Sequence, residues 1–243
     1  MSAARAASAR RAAPARRPVS ARRAAPARRK YPERLEGAGI TRPAKLPSPP
    51  WRIEPLTAGR WSDFAKLFGP RGACAGCWCT WNRLTHAEFR TATPGQRRNR
   101  MRSIVRRETP PGLLAYDGAV AVGWVAVAPR TVYRRLETSR VLAPVDAAPV
   151  WSVTCFFVAR THRARGLTVA LLEAACAFAA SHGARRIEGY PVDPRGRAQP
   201  PAFVWPGLPS AFAAAGFHEV ARRSPGRPIV RRVLRAKREA RRG

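Results

Sequence analysis

The chain has 243 residues, 45% of them hydrophobic, enough for one domain of ordinary size with its own core. Its formal net charge of +32, from 46 basic and 14 acidic residues, suits a polyanionic partner, whether a nucleotide cofactor, a nucleic acid or an anionic surface; only four of the basic residues are Lys, so the same charge is also the skew of a GC-rich genome. No run of about 18 apolar residues exists to span a membrane, no apolar core follows the N-terminal basic residues as in a secretory signal, and five cysteines, an odd number, fit a reducing cytoplasm better than a disulfide framework.

Residues 1–50 read as a disordered extension rich in Arg, Ala and Pro. The decapeptide SARRAAPARR at Ser8 recurs identically at Ser20, aromatics are almost absent, and too little apolar surface is available to offset chain entropy. The segment can serve as a basic arm for a polyanion. It lacks interleaved aromatics to stack on bases, which favours a low-complexity extension, and the acid-free composition of its N-terminal part, up to residue 32, also resembles an organelle transit peptide.

Order is predicted over 51–234. A short strand is expected at 52–56, then a helix at 60–68 with Trp61, Phe64, Ala65 and Phe68 at helical spacing. A Cys/Trp-rich segment occupies 72–84. Thr85 with Glu88, and Thr93 with Gln96, fit the capping-box pattern and predict two helices, the second running to about Arg107. Residues 113–116 and 119–128 around Asp117-Gly118 predict a β-hairpin. A short helix follows at 131–136, then a strongly apolar strand at 150–158. A long helix at 166–182 carries Leu167, Leu171, Ala174, Ala175 and Phe178 on one face. A strand at 186–190, a short helix at 209–215 closed by Gly216, and strands at 217–221 and 229–234 complete a mixed α/β sheet. Residues 235–243 form a basic tail.

The cluster Cys74-Ala-Gly-Cys77-Trp-Cys79 has thiolate spacing compatible with zinc, with His86 as the available fourth ligand. The second Cys pair of a standard finger is absent, and thiols beside Trp78 and Trp81 equally suit a core or a substrate pocket, so no metal is expected. A tryptophan-rich wall there would suit an acceptor with an apolar or cationic portion.

The stretch that carries chemistry runs from Val153 to Thr168. A buried strand enters a basic, glycine-containing turn that opens the long helix. A helix N-terminus offers free N–H groups and partial positive charge to an anion. Gly166 lets backbone approach a phosphate, and Arg163 and Arg165 add charge. The ordinary alternative is a strand–helix connection with surface arginines.

The segment Arg163-Ala-Arg-Gly166-Leu-Thr168 resembles the acetyl-CoA signature of the GNAT acetyltransferase superfamily, Arg/Gln-x-x-Gly-x-Gly/Ala. It matches at the first and fourth positions and departs at the sixth, Thr168. The order of elements is similar from about Trp51 to Leu234, ending in Gly216-Phe217. The likeness is closest to a branch with an N-terminal Cys-Trp-Cys segment and the strand Ile-Glu-Gly-Tyr-Pro-Val-Asp, here Ile187 to Asp193.

The resemblance implies a GNAT fold: a mixed, mostly antiparallel sheet with splayed strands flanked by helices. It implies acetyl-CoA as co-substrate and transfer of an acetyl group to a small-molecule or protein amine. The backbone of Phe156, Phe157 and Val158 would pair with the pantetheine arm, and the amides of Arg163, Ala164, Arg165, Gly166, Leu167 and Thr168 would hold the pyrophosphate. The family's usual proton-transfer groups are missing. Ser152, Thr154 and Cys155 stand on the strand where many members carry a Glu, and Phe212 stands where many carry a Tyr. Glu188 and Tyr190 are the nearest alternatives for catalysis, and Asp193 more simply starts a turn. Two other readings are a non-catalytic acyl-CoA-binding protein of the same fold, and a polyanion or nucleic-acid binder acting through the basic tails.

Overall fold

The computed structural model describes residues 51–107, 109–196, 199 and 203–234. The basic arm and tail expected at 1–50 and 235–243 lie outside these.

Seven strands form one sheet in the order β1-β2-β3-β4-β5-β7-β6. They are β1 (Arg52–Pro55), β2 (Gly112–Asp117), β3 (Val120–Pro129), β4 (Trp151–Val158), β5 (Arg186–Gly189), β6 (His218–Arg222) and β7 (Pro228–Val233). Every neighbouring pair is antiparallel except β4 with β5. This is the mixed, mostly antiparallel α/β sheet flanked by helices that was expected. Among the described residues no helix is long and apolar enough to cross a membrane.

The helices are α1 (Trp61–Phe68), α2 (His86–Thr91), α3 (Pro94–Val105), the single turn α4 (Arg134–Glu137), α5 (Leu167–Ser181) and α6 (Pro209–Ala214). Both expected capping boxes are present. Thr85 Oγ1 accepts from the Glu88 N–H at 3.2 Å while Glu88 Oε2 accepts from the Thr85 N–H at 2.8 Å. Thr93 and Gln96 do the same at 3.2 and 2.7 Å. Each box satisfies donors that a helix start would otherwise leave unpaired.

The hairpin turn sits one residue later than expected. Asp117 pairs with Val120, leaving Gly118-Ala119 as the loop, with Gly118 at φ 58°. A glycine at positive φ in the first loop position is the type II′ pattern, whose twist suits the flanking strands.

One face of the sheet packs Leu113, Val125, Val127, Val153, Phe156 and Ile187 against α5 and α6. The opposite face packs Leu114, Tyr116, Trp124 and Ala126 under α1 and α3. The buried stripe of α5 is Leu167, Leu171, Leu172, Ala175, Cys176 and Ala179. Ala174 and Phe178, expected in that stripe, lie at its margin and are only partly buried. Small residues at 175, 176 and 179 let that side of α5 lie closest to the sheet. Phe178 instead meets Trp151 edge-on, ring centroids 5.8 Å apart.

Two irregularities position the site. β4 pairs with β5 only from Trp151 to Val153, whereas β4 continues to Val158. The strands part there because β5 stops at Gly189, ahead of Tyr190-Pro191. The second irregularity is a bulge. Ala126 faces Cys155 but Val127 faces Val153, so Thr154 is the extra residue. The bulge shifts the side-chain phase, so Cys155 and Phe157 face the α1 side while Val153 and Phe156 share the α5 side.

Candidate active site

The loop after β4 turns through Arg163, Ala164, Arg165 and Gly166 into α5. Gly166 is the N-cap at φ 79°, ψ −1°, and Ala164 is also left-handed at φ 56°. Alternation of left-handed with ordinary residues turns successive N–H groups towards one concavity, a typical anion-binding arrangement. Among the described residues no acceptor pairs with the N–H groups of Arg163, Ala164, Arg165, Gly166, Leu167 or Thr168. All of these residues but Arg165 border a groove of about 340 Å³ that also meets Val158, His162 and, from α6, Ser210 and Ala211. A Cβ on Gly166 would touch nothing within 4 Å, so the space above it is open.

His162 was not singled out from the sequence. Its Nε2 lies 3.0 Å from Asp117 Oδ2, anchoring the loop to the end of the β2–β3 hairpin. No spacing rule connects residues 117 and 162; the sheet brings them together. Arg163 Nε donates to the Val158 carbonyl at 3.2 Å and ties the loop to the strand end.

The three expected strand residues differ in availability. The Phe156 N–H points into the opening between β4 and β5, where it donates to the Trp205 carbonyl at 2.7 Å. Backbone groups alternate along a strand, so Val158 shares that open edge and the backbone of Phe157 faces β3. The chain's own residues 203–207 therefore occupy part of the opening. This loop is held by Val192 N–H donating to the Gly207 carbonyl at 3.0 Å.

Glu188 and Tyr190 lie together in a closed, buried network. Glu188 is 1% exposed, and Arg231 donates to its Oε1 at 2.7 and 3.0 Å. The Tyr190 hydroxyl donates to Glu188 Oε2 at 3.0 Å, lies 2.8 Å from Ser152 Oγ, and accepts from Arg130 Nη1 at 2.9 Å. Burial, and then the Glu188 charge, push the Tyr190 hydroxyl above its ordinary value. Neither side chain lines the groove at Arg163–Thr168. Asp193 begins a turn, accepting from the Arg195 N–H at 3.0 Å, and pairs with Arg222 at 2.8 Å. Phe212 is fully buried, its Cε1 placed 2.0 Å from where a Cβ on Gly189 would stand.

On the α1 side of β4 lies a second cavity, of about 320 Å³. Aromatic rings of Phe68, Trp81, Phe89, Phe157, Phe203 and Trp205 dominate its wall. The thiols of Cys74, Cys77, Cys79 and Cys155 complete much of the rest. These cysteines are free, and no group of three or more His, Cys, Asp or Glu suited to a metal occurs among the described residues. Burial pushes the Cys77 thiol up to about 12. Cys79 is held below its ordinary value chiefly by a hydrogen bond from Cys155, and Trp124 Nε1 donates to its sulfur at 3.1 Å. The same contact pushes the Cys155 thiol up. The backbone is left-handed at Ala73, Ala75, Trp78 and Cys79, all non-glycine residues, and such strain often clusters at functional sites.

Residues 78–198 match the family model described as acetyltransferase (GNAT) family. No curated protein matches the sequence. Among solved structures, the GNAT domain of S. lividans PAT shares 17% identity at a TM-score of 0.46, over 76% of this chain and 90% of that one. The yncA protein of Salmonella typhimurium, solved with its cofactor acetyl-CoA, shares 12% at 0.46, over 77% and 96%. A GNAT-family acetyltransferase of Listeria monocytogenes shares 9% at 0.48, over 76% and 95%. At these identities and scores none of the three locates a residue role here. The sequence match over residues 78–198 shows that the chain carries an acetyltransferase domain of the GNAT family.

Proposed function

We propose that the protein moves an acetyl group from acetyl-CoA to an amine, with the donor's pyrophosphate at residues 163–168. The observation that carries this is the run of unpaired N–H groups from Arg163 to Thr168, set in a basic groove at the end of β4. Free donors in the loop at Arg163–Arg165 and at the start of α5, Gly166–Thr168, favour a multiply charged anion over solvent. The pantetheine arm would lie along the open edge of β4, at Phe156 and Val158, with Trp205 displaced from Phe156. Thr168 keeps its backbone amide available although its side chain departs from the family signature. The Cys74–Cys79 segment and the stretch from Ile187 to Asp193 support the branch of the family with those two features.

In the reaction the amine nitrogen attacks the thioester carbonyl carbon, a C–N bond forms, the C–S bond breaks, and CoA leaves as thiolate. The amine gives up one proton and the thiolate takes one, through water at an open site. A Phe156 N–H freed from Trp205 can donate to the carbonyl oxygen as charge develops on it. Glu188 and Tyr190 are assigned a positioning role. Their network fixes β4 against β5 at the Ser152–Glu188 pair, one pair before the strands part, and so sets the width of the opening.

Calorimetric titration with acetyl-CoA tests the donor site. Gly166→Val places a branched side chain over the free amides and forces a strained φ. It should weaken binding at least tenfold, and unchanged binding overturns the assignment.

A further inference from the structure

We infer that the acceptor is an amine carried on an uncharged aromatic or aliphatic body, which fills the aromatic and thiol-lined cavity on the α1 side of β4. This rests on the acetyltransferase reading above. The cavity's volume, about 320 Å³, lies within the range of small-molecule sites. It meets β4 at Cys155, Phe156 and Phe157, beside the backbone edge assigned to the donor. A body seated there points its amine towards the Phe156 N–H.

The sequence left open whether the tryptophan-rich wall takes an apolar or a cationic group, and the geometry favours the apolar one. No charged side chain lines the cavity; Asn82 supplies its one amide. Two of the rings that would serve a cation, those of Trp81 and Phe89, already carry cations of the protein itself. The Arg135 guanidinium lies 3.8 Å from the Trp81 ring centroid, and that of Arg97 4.1 Å from that of Phe89. Both are fixed. Arg135 Nε donates to the Trp81 carbonyl at 2.8 Å. Arg97 donates to the carbonyls of Ala92, Ala75 and Gly76 at 2.8 to 3.1 Å. A second cation against the same rings meets like charge in a weakly screening environment, whereas an apolar body meets six aromatic rings.

The same arrangement bears on chemistry. Desolvation and the two nearby guanidiniums both disfavour an ammonium, so an amine bound here shifts towards its neutral form. Only the neutral form is nucleophilic. The cavity thereby supplies part of what a carboxylate base would do, and no carboxylate stands among its lining residues.

The test uses the full chain with acetyl-CoA and mass-spectrometric detection of product. The acceptors are tryptamine, 4-phenylbutylamine, spermidine and a lysine peptide. Arylalkylamines should be acetylated with kcat/KM at least tenfold above spermidine and the peptide; the reverse order overturns the inference. Cys74→Trp fills the mouth of the cavity. It should raise the KM for 4-phenylbutylamine at least tenfold while leaving the calorimetric Kd for acetyl-CoA unchanged, and an unchanged KM overturns the inference. A measurement on the unmodified protein stands beside the variant. Uncharged 4-phenylbutanol should compete with the amine, and the phenylbutyl trimethylammonium ion should compete at least tenfold more weakly; equal or stronger competition by the cation overturns the inference. If no amine is acetylated, tryptophan fluorescence with 4-phenylbutanol separates the two readings. Saturable quenching supports the cavity and overturns catalysis, while its absence overturns the cavity.

Discussion

The Phe156 N–H donates to the Trp205 carbonyl at 2.7 Å, across the opening where β4 and β5 part. A residue 49 positions later in the chain thus occupies the backbone group best placed to meet the donor's arm. Trp205 and Phe203 also line the aromatic cavity proposed for the acceptor. The loop they belong to borders both proposed sites, and its position couples them.

If the donor displaces Trp205 from Phe156, weakening this loop should tighten donor binding. Trp205→Gly removes the ring that meets Trp81 at a centroid distance of 6.4 Å and loosens the backbone around the carbonyl. Loss of one competing hydrogen bond, about 1 kcal/mol, corresponds to roughly fivefold tighter acetyl-CoA binding by calorimetry. Weaker binding in the variant would show that the loop supports the donor rather than competing with it.

Gly189 closes β5 with no room for a side chain, since a Cβ would stand 2.0 Å from Phe212 Cε1. Gly189→Ala should therefore destabilise the fold by about 1–3 kcal/mol in denaturant unfolding. Adding Phe212→Leu should recover much of that loss, because the offending atom belongs to the ring. Absence of rescue would place the conflict in the backbone instead.

Tyr190→Phe removes the hydroxyl that joins Ser152, Glu188 and Arg130. For a positioning role the melting temperature should fall while kcat stays within about tenfold of the parent. A larger drop in kcat with an unchanged pH profile of KM would instead make the hydroxyl a direct participant. Glu188→Ala leaves Arg231 and Arg130 without their buried partner and should cost about 3–5 kcal/mol.

Several surface carboxylates sit below their ordinary values. Glu88 is held down chiefly by the Thr85 N–H, Asp146 by Arg231, and Asp193 and Glu219 by Arg222. Each folded-state value lies below its unfolded one. The stabilisation is then complete above the ordinary values of 4.5 for Glu and 3.8 for Asp, and is lost as pH falls through the lower folded values. Melting temperature should be flat near neutrality and decline once pH drops below about 4.5. Glu88→Gln should lower the plateau and make that decline shallower; an unchanged curve would show that the α2 cap contributes nothing to it.

Much of the fold could be read from residue order because its signals are local. Thr85 with Glu88 and Thr93 with Gln96 form caps over three residues, and the apolar run at 150–158 forms a buried strand whatever surrounds it. The turn at Gly118 was misplaced by one residue, since Asp117-Gly118 and Gly118-Ala119 differ only in which residue enters the ladder. The marginal placement of Ala174 and Phe178 on α5 depended on how closely small residues let the helix approach the sheet. Glu188 and Tyr190, read from the sequence as candidates for catalysis, share one hydrogen-bonded network. Their enclosure by Arg130 and Arg231 could not be read, because those arginines arrive from elsewhere in the chain.

The sequence alone determined the elements, the basic turn at Arg163–Thr168 and the cysteine–tryptophan segment, because each depends on residues within a few positions of one another. The tertiary structure decided what faces the site. The bulge at Thr154 turns Cys155 and Phe157 towards the cavity, the end of β5 at Gly189 opens the sheet, and Trp205 enters that opening. Arg97 and Arg135 reach the outer faces of the aromatic wall only in the folded chain. Each of these is a long-range packing or pairing choice among alternatives that local propensity leaves nearly equal in energy, so only the whole fold could select between them.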